Sequence, residues 1–178
     1  MSKSLGIYIQ PHEVIVKYGA DTFRYYMISS ANPGIDLNYN FDDMKVKYRN
    51  LTVLWNLHNY LIDLANNANI NPKDLKIKKD SMSTEEEYIF SKLNSTIMKA
   101  TKLFDDYRLN EIPLLIEDLF LKLSRTYIQL TRDKSNSKNG KKIVLYTVYN
   151  TLIETLKIFA PTAPFITEKI YQNLRKEF

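Results

Sequence analysis

Between Tyr48 and Asn66 apolar residues recur every three or four positions, the period of an α-helix. Leu51, Leu54, Trp55, Leu61, Ile62 and Ala65 fall on one stripe. Val53, Leu57 and Leu64 widen it, and His58 sits in its middle. That stripe predicts a core face, with Trp55 as its largest member. Arg49, Thr52, Asn56, Asn59, Tyr60 and Asp63 fall on the opposite side. A solvated helix face usually favours long charged side chains, because Asn and Thr are poor helix formers. An amide-rich face is therefore either an ordinary polar surface or one shaped to read planar polar groups such as nucleobases.

The same period recurs along the chain. Pro11 to Ile15 reads as a short helix with Pro in its first turn, stopped at Lys17-Tyr18-Gly19. A second helix restarts at Ala20-Asp21, and Asn32-Pro33-Gly34 marks a turn. Ile35, Leu37, Tyr39 and Phe41 alternate as a short extended segment would, and Asp42 is the expected N-cap of the long helix. Residues 66–82 read as a polar loop. Ser83 or Thr84 caps a helix with the stripe Ile89, Phe90, Leu93, Ile97, Ala100 and Phe104, and Thr84-x-x-Glu87 fits a capping box. Asn110 is the expected cap of a third long helix, whose stripe runs Leu115, Ile116, Leu119, Phe120, Leu123, Tyr127, Leu130. Residues 133–142 read as a mobile loop. A fourth helix is expected from about Lys142 to Phe159, and Ala160 to Pro164 break it. A last helix carries Phe165, Ile166, Ile170 and Leu174 as its stripe. The sum is an all-α up-and-down helical bundle over 42–178, preceded by a small helical region over 1–41.

Composition narrows the chemistry. With 178 residues, 44% of them hydrophobic, there is material for one good core. Four Gly argue against an α/β sheet with phosphate-binding loops. The absence of Cys excludes disulfides and thiolate ligands, and with only two His we expect no metal centre. No apolar run approaches the ~20 residues of a membrane span, and the opening residues lack an apolar signal stretch. The expectation is a monomeric cytoplasmic protein with no membrane partner. A net charge of +5 suits a polyanionic partner without demanding one.

No nucleophile–base set stands out. His12 is expected at the surface, and His58, on the apolar stripe, is expected as a hydrogen-bonded core histidine rather than a base. Asp42-Asp43 and Asp105-Asp106 are neighbours in sequence, so on a helix they diverge and read as helix-end charges. Arg125, Arg132 and Lys134 cluster with Tyr127 near the end of the third long helix, and Arg125 and Arg132, seven apart, are expected on one face. Cations interleaved with an aromatic suit a phosphate backbone and an unstacked base. A solvated last turn that balances the helix dipole explains the same residues.

Longer motifs resemble a known family. Met1-Ser2-Lys3-Ser4-Leu5-Gly6, followed by P-x-E-V-I-x-K-Y-G-A-D-x-x-R-Y, is similar to the end of the catalytic domain of class I aminoacyl-tRNA synthetases. Their K-M-S-K-S loop is matched here without its leading Lys. Leu54-Trp55-Asn56, the run from Ser124 to Asp133, and Ala160 to Glu168 resemble class Ia anticodon-binding domains. Lys169 to Leu174 looks closest to isoleucyl-tRNA synthetases, and valyl and leucyl enzymes share most of the pattern. The resemblance implies a stem-contact region over 1–41, an anticodon-binding bundle over 42–178, and tRNA as partner. It implies that Lys3, flanked by Ser2 and Ser4, meets ATP phosphates in a full-length ligase that uses ATP and Mg. It also implies that Asn56, Asn59, Tyr60, Arg125, Arg132 and Lys134 meet tRNA. With the nucleotide fold of such enzymes lying upstream of this loop, the chain alone is expected neither to activate isoleucine nor to charge tRNA. A helical protein-interaction module without an RNA role is the rival reading.

Overall fold

The computed structural model describes residues 10–32, 34–37 and 39–178, and every regular element among them is helical. Ser2, Lys3 and Ser4 lie outside the described residues. Two short helices come first, α1 (Pro11–Tyr18) and α2 (Ala20–Ser30). Gly19 joins them at φ 83°, a left-handed conformation that side-chain-bearing residues rarely adopt. The long α3 (Phe41–Ala68) follows, then α4 (Thr84–Asp105), α5 (Ile112–Lys122), the short α6 (Ile128–Leu130), α7 (Lys138–Phe159) and α8 (Pro164–Glu177).

Helices α3, α5 and α8 run one way, and α4 and α7 the other. Phe159 at the end of α7 meets Tyr25 of α2, whose ring also receives Lys47 from the start of α3. Tyr149, nearer the start of α7, meets Phe178, whose carbonyl accepts from Asn71 just beyond α3. Helix α7 is central and packs on α3, α4, α5 and α8. Its Val144, Leu145, Val148, Leu152 and Phe159 are buried with Leu54, Leu57 and Leu61 of α3 and Ile116, Leu119 and Phe120 of α5. A second, smaller core of Val14, Tyr18, Tyr26 and Met44 joins α1 and α2 to the first turn of α3.

The helix starts differ from the sequence reading in instructive ways. Asn40, not Asp42, caps α3: its side chain accepts from the Asp42 and Asp43 amides, at 2.8 and 3.4 Å. Asp42 instead pairs with Lys45. The N-cap of α5 is Glu111, whose side chain pairs with Arg108 and makes no capping bond, while Asn110 donates to the Asn32 side chain at 2.7 Å. The capping box of α4 is Ser83 with Glu86, one residue earlier than Thr84 with Glu87. Helix α7 begins at Lys138, inside the stretch read as a mobile loop, because Ser137 caps it by accepting from the Gly140 amide at 3.1 Å. Gly140 is needed there: a Cβ at this position would stand 2.1 Å from the Lys134 carbonyl oxygen. The 66–82 connection carries two single 3-10 turns, Pro72–Asp74 and Lys79–Ser81. Among the described residues between Ile35 and Asn40 there is no strand, and Leu37 and Tyr39 pack on the small core.

The third long helix is not a uniform α-helix. Leu123–Tyr127 forms a π-turn between α5 and α6. The extra residue shifts the phase of everything after it. Leu130, expected on the core stripe, is 62% exposed, and Thr131 is buried in its place.

One polar clamp ties α2 to the α7–α8 corner. Asp21 accepts from the Phe165 and Ile166 amides at 3.3 and 2.5 Å, which caps α8. Arg24 donates to the Pro161 and Thr162 carbonyls at 3.0 and 3.2 Å. Burial pushes the Asp21 carboxyl up, against those amides and Arg24. Asp21 and Arg24 thus satisfy four backbone groups that the Pro-rich corner leaves without helical partners.

Candidate nucleic-acid interface

Helix α3 presents its polar face to solvent along most of its length. Arg49, Thr52, Asn56, Asn59 and Asp63 are exposed. Tyr60 is half-buried at the edge of the face and packs against the main core; burial pushes its hydroxyl up. Neither Asn56 nor Asn59 spends its side-chain amide on another described residue. Each offers two donors and an acceptor to solvent, the set that pairs with a base edge.

The opposite face is less simple than its sequence suggested. Leu54, Leu57 and Leu61 are fully buried, but Trp55 is only half-buried at the margin of the core. His58 is a satisfied core histidine. Its ring lies 4.4 Å from the Trp55 ring. Its hydrogen-bond partners assign the tautomer. Nδ1–H donates to the Trp55 carbonyl, and Nε2 accepts from Asn173 at 3.2 Å. Burial lowers its pKa, against the pull of that carbonyl, so the ring is neutral at pH 7. His12 is exposed.

The cationic cluster at the far end of the bundle separates into two kinds of residue. Arg125 and Arg132 are exposed and make no ion pair among the described residues. Arg125 lies within the π-turn and Arg132 beyond the end of α6, so their sevenfold spacing does not place them on one helix face. Glu117 of α5 meets Lys47 of α3 at 3.1 Å; burial pushes its carboxyl up, and the positive charge of Arg125 opposes that shift.

Tyr127 and Lys134 turn inward. Tyr127 is fully buried, so it offers no stacking surface, contrary to the pairing read from sequence. Its hydroxyl donates to Glu86 Oε1 at 2.8 Å. Lys134 forms an ion pair with Glu86 and donates to Ser83 Oγ at 2.7 Å. The Ser83 amide donates to Glu86 Oε2 at 2.9 Å. Burial alone would raise the Glu86 pKa. The Lys134 ammonium and the bonds from Ser83 and Tyr127 outweigh it and hold the carboxyl below its usual range. Nothing in the sequence distinguished Glu86 from Glu85 and Glu87 except the capping-box register. This network pins the turn at Lys134–Asn136 to the start of α4, and so places the neighbouring Arg132.

Among the described residues no three carboxylates or imidazoles converge as metal ligands would. No helix there is long and apolar enough to cross a membrane.

Comparison with known proteins agrees with this architecture. Residues 86–178 match the family described as anticodon-binding domain of tRNA ligase, and residues 1–68 match class I tRNA synthetases (M). The isoleucine–tRNA ligase of Pyrococcus horikoshii is 32% identical over 182 residues, which cover 100% of this chain and 17% of that protein. That of Thermococcus kodakarensis is 34% identical over 187 residues, again 100% of this chain and 17% of that protein. The chain therefore spans only about 17% of the length of these relatives. An Agrobacterium radiobacter LeuRS, solved in a ternary complex with tRNA and LeuAMS, shares the fold with a TM-score of 0.70 at 20% identity, over 98% of this chain and 20% of that one. On the match to residues 86–178, more than half its length, the chain belongs to the family of anticodon-binding domains of tRNA ligases.

Proposed function

We propose that this chain is the tRNA-reading part of an isoleucine–tRNA ligase. In this reading α3 faces the anticodon. Asn56 and Asn59 read base edges, Tyr60 offers a stacking edge, and Arg125 and Arg132 hold the backbone. The observation that carries it is the α3 face itself: two exposed, uncommitted amides and a half-buried tyrosine. Lys134 has a structural part instead, since its ammonium is committed to Glu86. The relatives that support isoleucine as the amino acid are isoleucine–tRNA ligases. The ligase reaction, with ATP and Mg, belongs to the whole enzyme. Lys3, Ser2 and Ser4 are its proposed phosphate contacts in this chain, and no described residues form a magnesium site.

Two kinds of substitution separate reading from holding. Asn56→Ala or Tyr60→Ala weakens binding of isoleucine tRNA by about 1–3 kcal/mol, the usual loss for one base contact or stack. Binding of a tRNA with an unrelated anticodon changes little. Arg132→Ala weakens both tRNAs and reduces the salt dependence by about one charge. Filter binding of the folded variants against isoleucine, valine and leucine tRNAs is the measurement. Equal losses for all three on Asn56→Ala and Tyr60→Ala remove the anticodon assignment. Absence of salt-dependent tRNA binding altogether favours a protein-interaction module.

A further inference from the structure

A cleft of about 710 Å³ opens where the α1–α2 junction meets α3 and α8. It is lined by residues 18–22 at the α1–α2 junction, by Tyr48, Thr52 and Trp55 of α3, and by Phe165 and Lys169 of α8. We propose that this cleft is a stacking slot for one unstacked nucleotide of an RNA strand, its base between the aromatic walls and its phosphate at Lys169. The inference rests on the reading of α3 as a tRNA-facing helix and adds a second point of capture to it.

Three observations carry it. First, two of the aromatic walls, Phe165 and Tyr48, are left outside the core. Phe165 is 66% exposed and Tyr48 is 48% exposed. The stripe of α8 is complete without Phe165, through the buried Ile170 and Leu174 and the half-buried Ile166. Second, two of the rings are held in place before any ligand arrives. Tyr48 packs edge-to-face on Tyr18 at 6.0 Å, and Trp55 packs on His58. Preorganised rings lose little freedom on binding. Third, the cleft carries an exposed cation, Lys169. Among the described lining residues the carboxylate is Asp21, buried and turned to the Phe165 and Ile166 amides beside Arg24. Aromatic faces with a cation at the rim suit a base and its phosphate, and stacking accepts any base because each has a π-face. Thr52 belongs both to the cleft wall and to the exposed face of Asn56 and Asn59, so a strand laid on that face reaches the opening.

Trp55 is the only tryptophan of the chain, so its emission reports the cleft directly. The probes are a short single-stranded RNA, a duplex RNA of equal length, and folded isoleucine tRNA. Single-stranded RNA and tRNA should quench Trp55 emission to saturation. Duplex RNA, whose bases stay stacked, should leave it unchanged even when it binds at low salt. Phe165→Ala should weaken single-strand binding about tenfold, the loss of one stack, without shifting the thermal midpoint, since the ring is mostly solvent-exposed. Lys169→Ala should lower the salt slope by about one charge. If tRNA binds on filters without quenching Trp55, or if duplex RNA quenches equally, the slot is refuted while the reading of α3 stands. That result leaves the cleft to another polypeptide. If single strands quench but anticodon discrimination is absent, the slot stands and the α3 assignment falls.

Discussion

Glu86→Gln lowers the unfolding free energy by about 3 kcal/mol, the low end of the loss when one partner of a buried ion pair is removed. The low end applies because Lys134 remains 25% exposed and can turn to water. Gln keeps the volume and can still accept one bond, from Tyr127 or from the Ser83 amide. It presents no anion to Lys134. The loss should be concentrated in the segment from Thr131 to Gly140, where Lys134 holds the turn and Gly140 leaves no room for adjustment. Hydrogen exchange in that segment should therefore rise more than in α3. Two groups contribute to the pH dependence with the same sign, while Asp21 and Glu117, whose carboxyls burial pushes up, act against them in the acid range. The Glu86 carboxyl is held below its ordinary 4.5, so its stabilisation is present above that pH and is lost as the pH falls through its folded value. His58, held below its ordinary 6.5, stays neutral when the unfolded chain takes a proton, so stability declines as the pH falls below 6.5 and levels off once the folded ring is protonated. Urea midpoints of the wild type should fall in both windows, and Glu86→Gln should reduce the fall in the lower one and leave the upper one unchanged. A Glu86→Gln variant within 1 kcal/mol of wild type at pH 7 would show that the network has no share in stability.

Leu54→Ala and Trp55→Ala, adjacent in sequence, should differ in the reverse order of their side-chain size. Leu54 is fully buried against α7 and α5, so its truncation leaves a cavity in close-packed surroundings and costs about 3–4 kcal/mol. Trp55 sits at the core margin with one side open to the cleft. Its truncation should cost about 2 kcal/mol, roughly half the value of a buried tryptophan. Chemical denaturation of both variants measures the difference. An equal or larger loss for Trp55→Ala would mean that the indole is a core residue and that the cleft is a packing margin.

Much of this fold is legible in the period of the apolar residues. The stripes through Leu54 and Leu61, Ile89 and Leu93, and Ile116 and Phe120 each bury the face they predict. Their lengths and the breaks between them are enough for an antiparallel arrangement. Helix ends are harder, because several neighbouring polar residues compete for one cap. Asn40 prevailed over Asp42, and Ser83 with Glu86 over Thr84 with Glu87. Local spacing allows either choice, and tertiary partners select one. Glu86 is selected because Tyr127 and Lys134 reach it from a distant part of the chain. The start of α7 was hidden for a similar reason: Lys-rich, Gly-containing residues look like solvent-exposed loop until Ser137 caps them and the Lys134 turn packs on Gly140.

By itself, the sequence determined the helical class, the order of the helices, the buried leucine stripes, the amide-rich face of α3 and the resemblance to synthetase motifs. These depend on spacing within one segment and on motifs that stay contiguous in the chain. Only the tertiary structure decided which aromatics and cations remain available. Tyr127 and Tyr60 are both tyrosines on amphipathic helices, yet one is sealed against Glu86 and the other rests at the surface. Lys134 and Arg132 stand two residues apart, yet one is bound and the other open. The π-turn at Leu123–Tyr127, invisible in a regular pattern, turned Leu130 outward and Thr131 inward. Exposure is a property of what packs opposite a residue, and those partners lie tens of residues away in the chain.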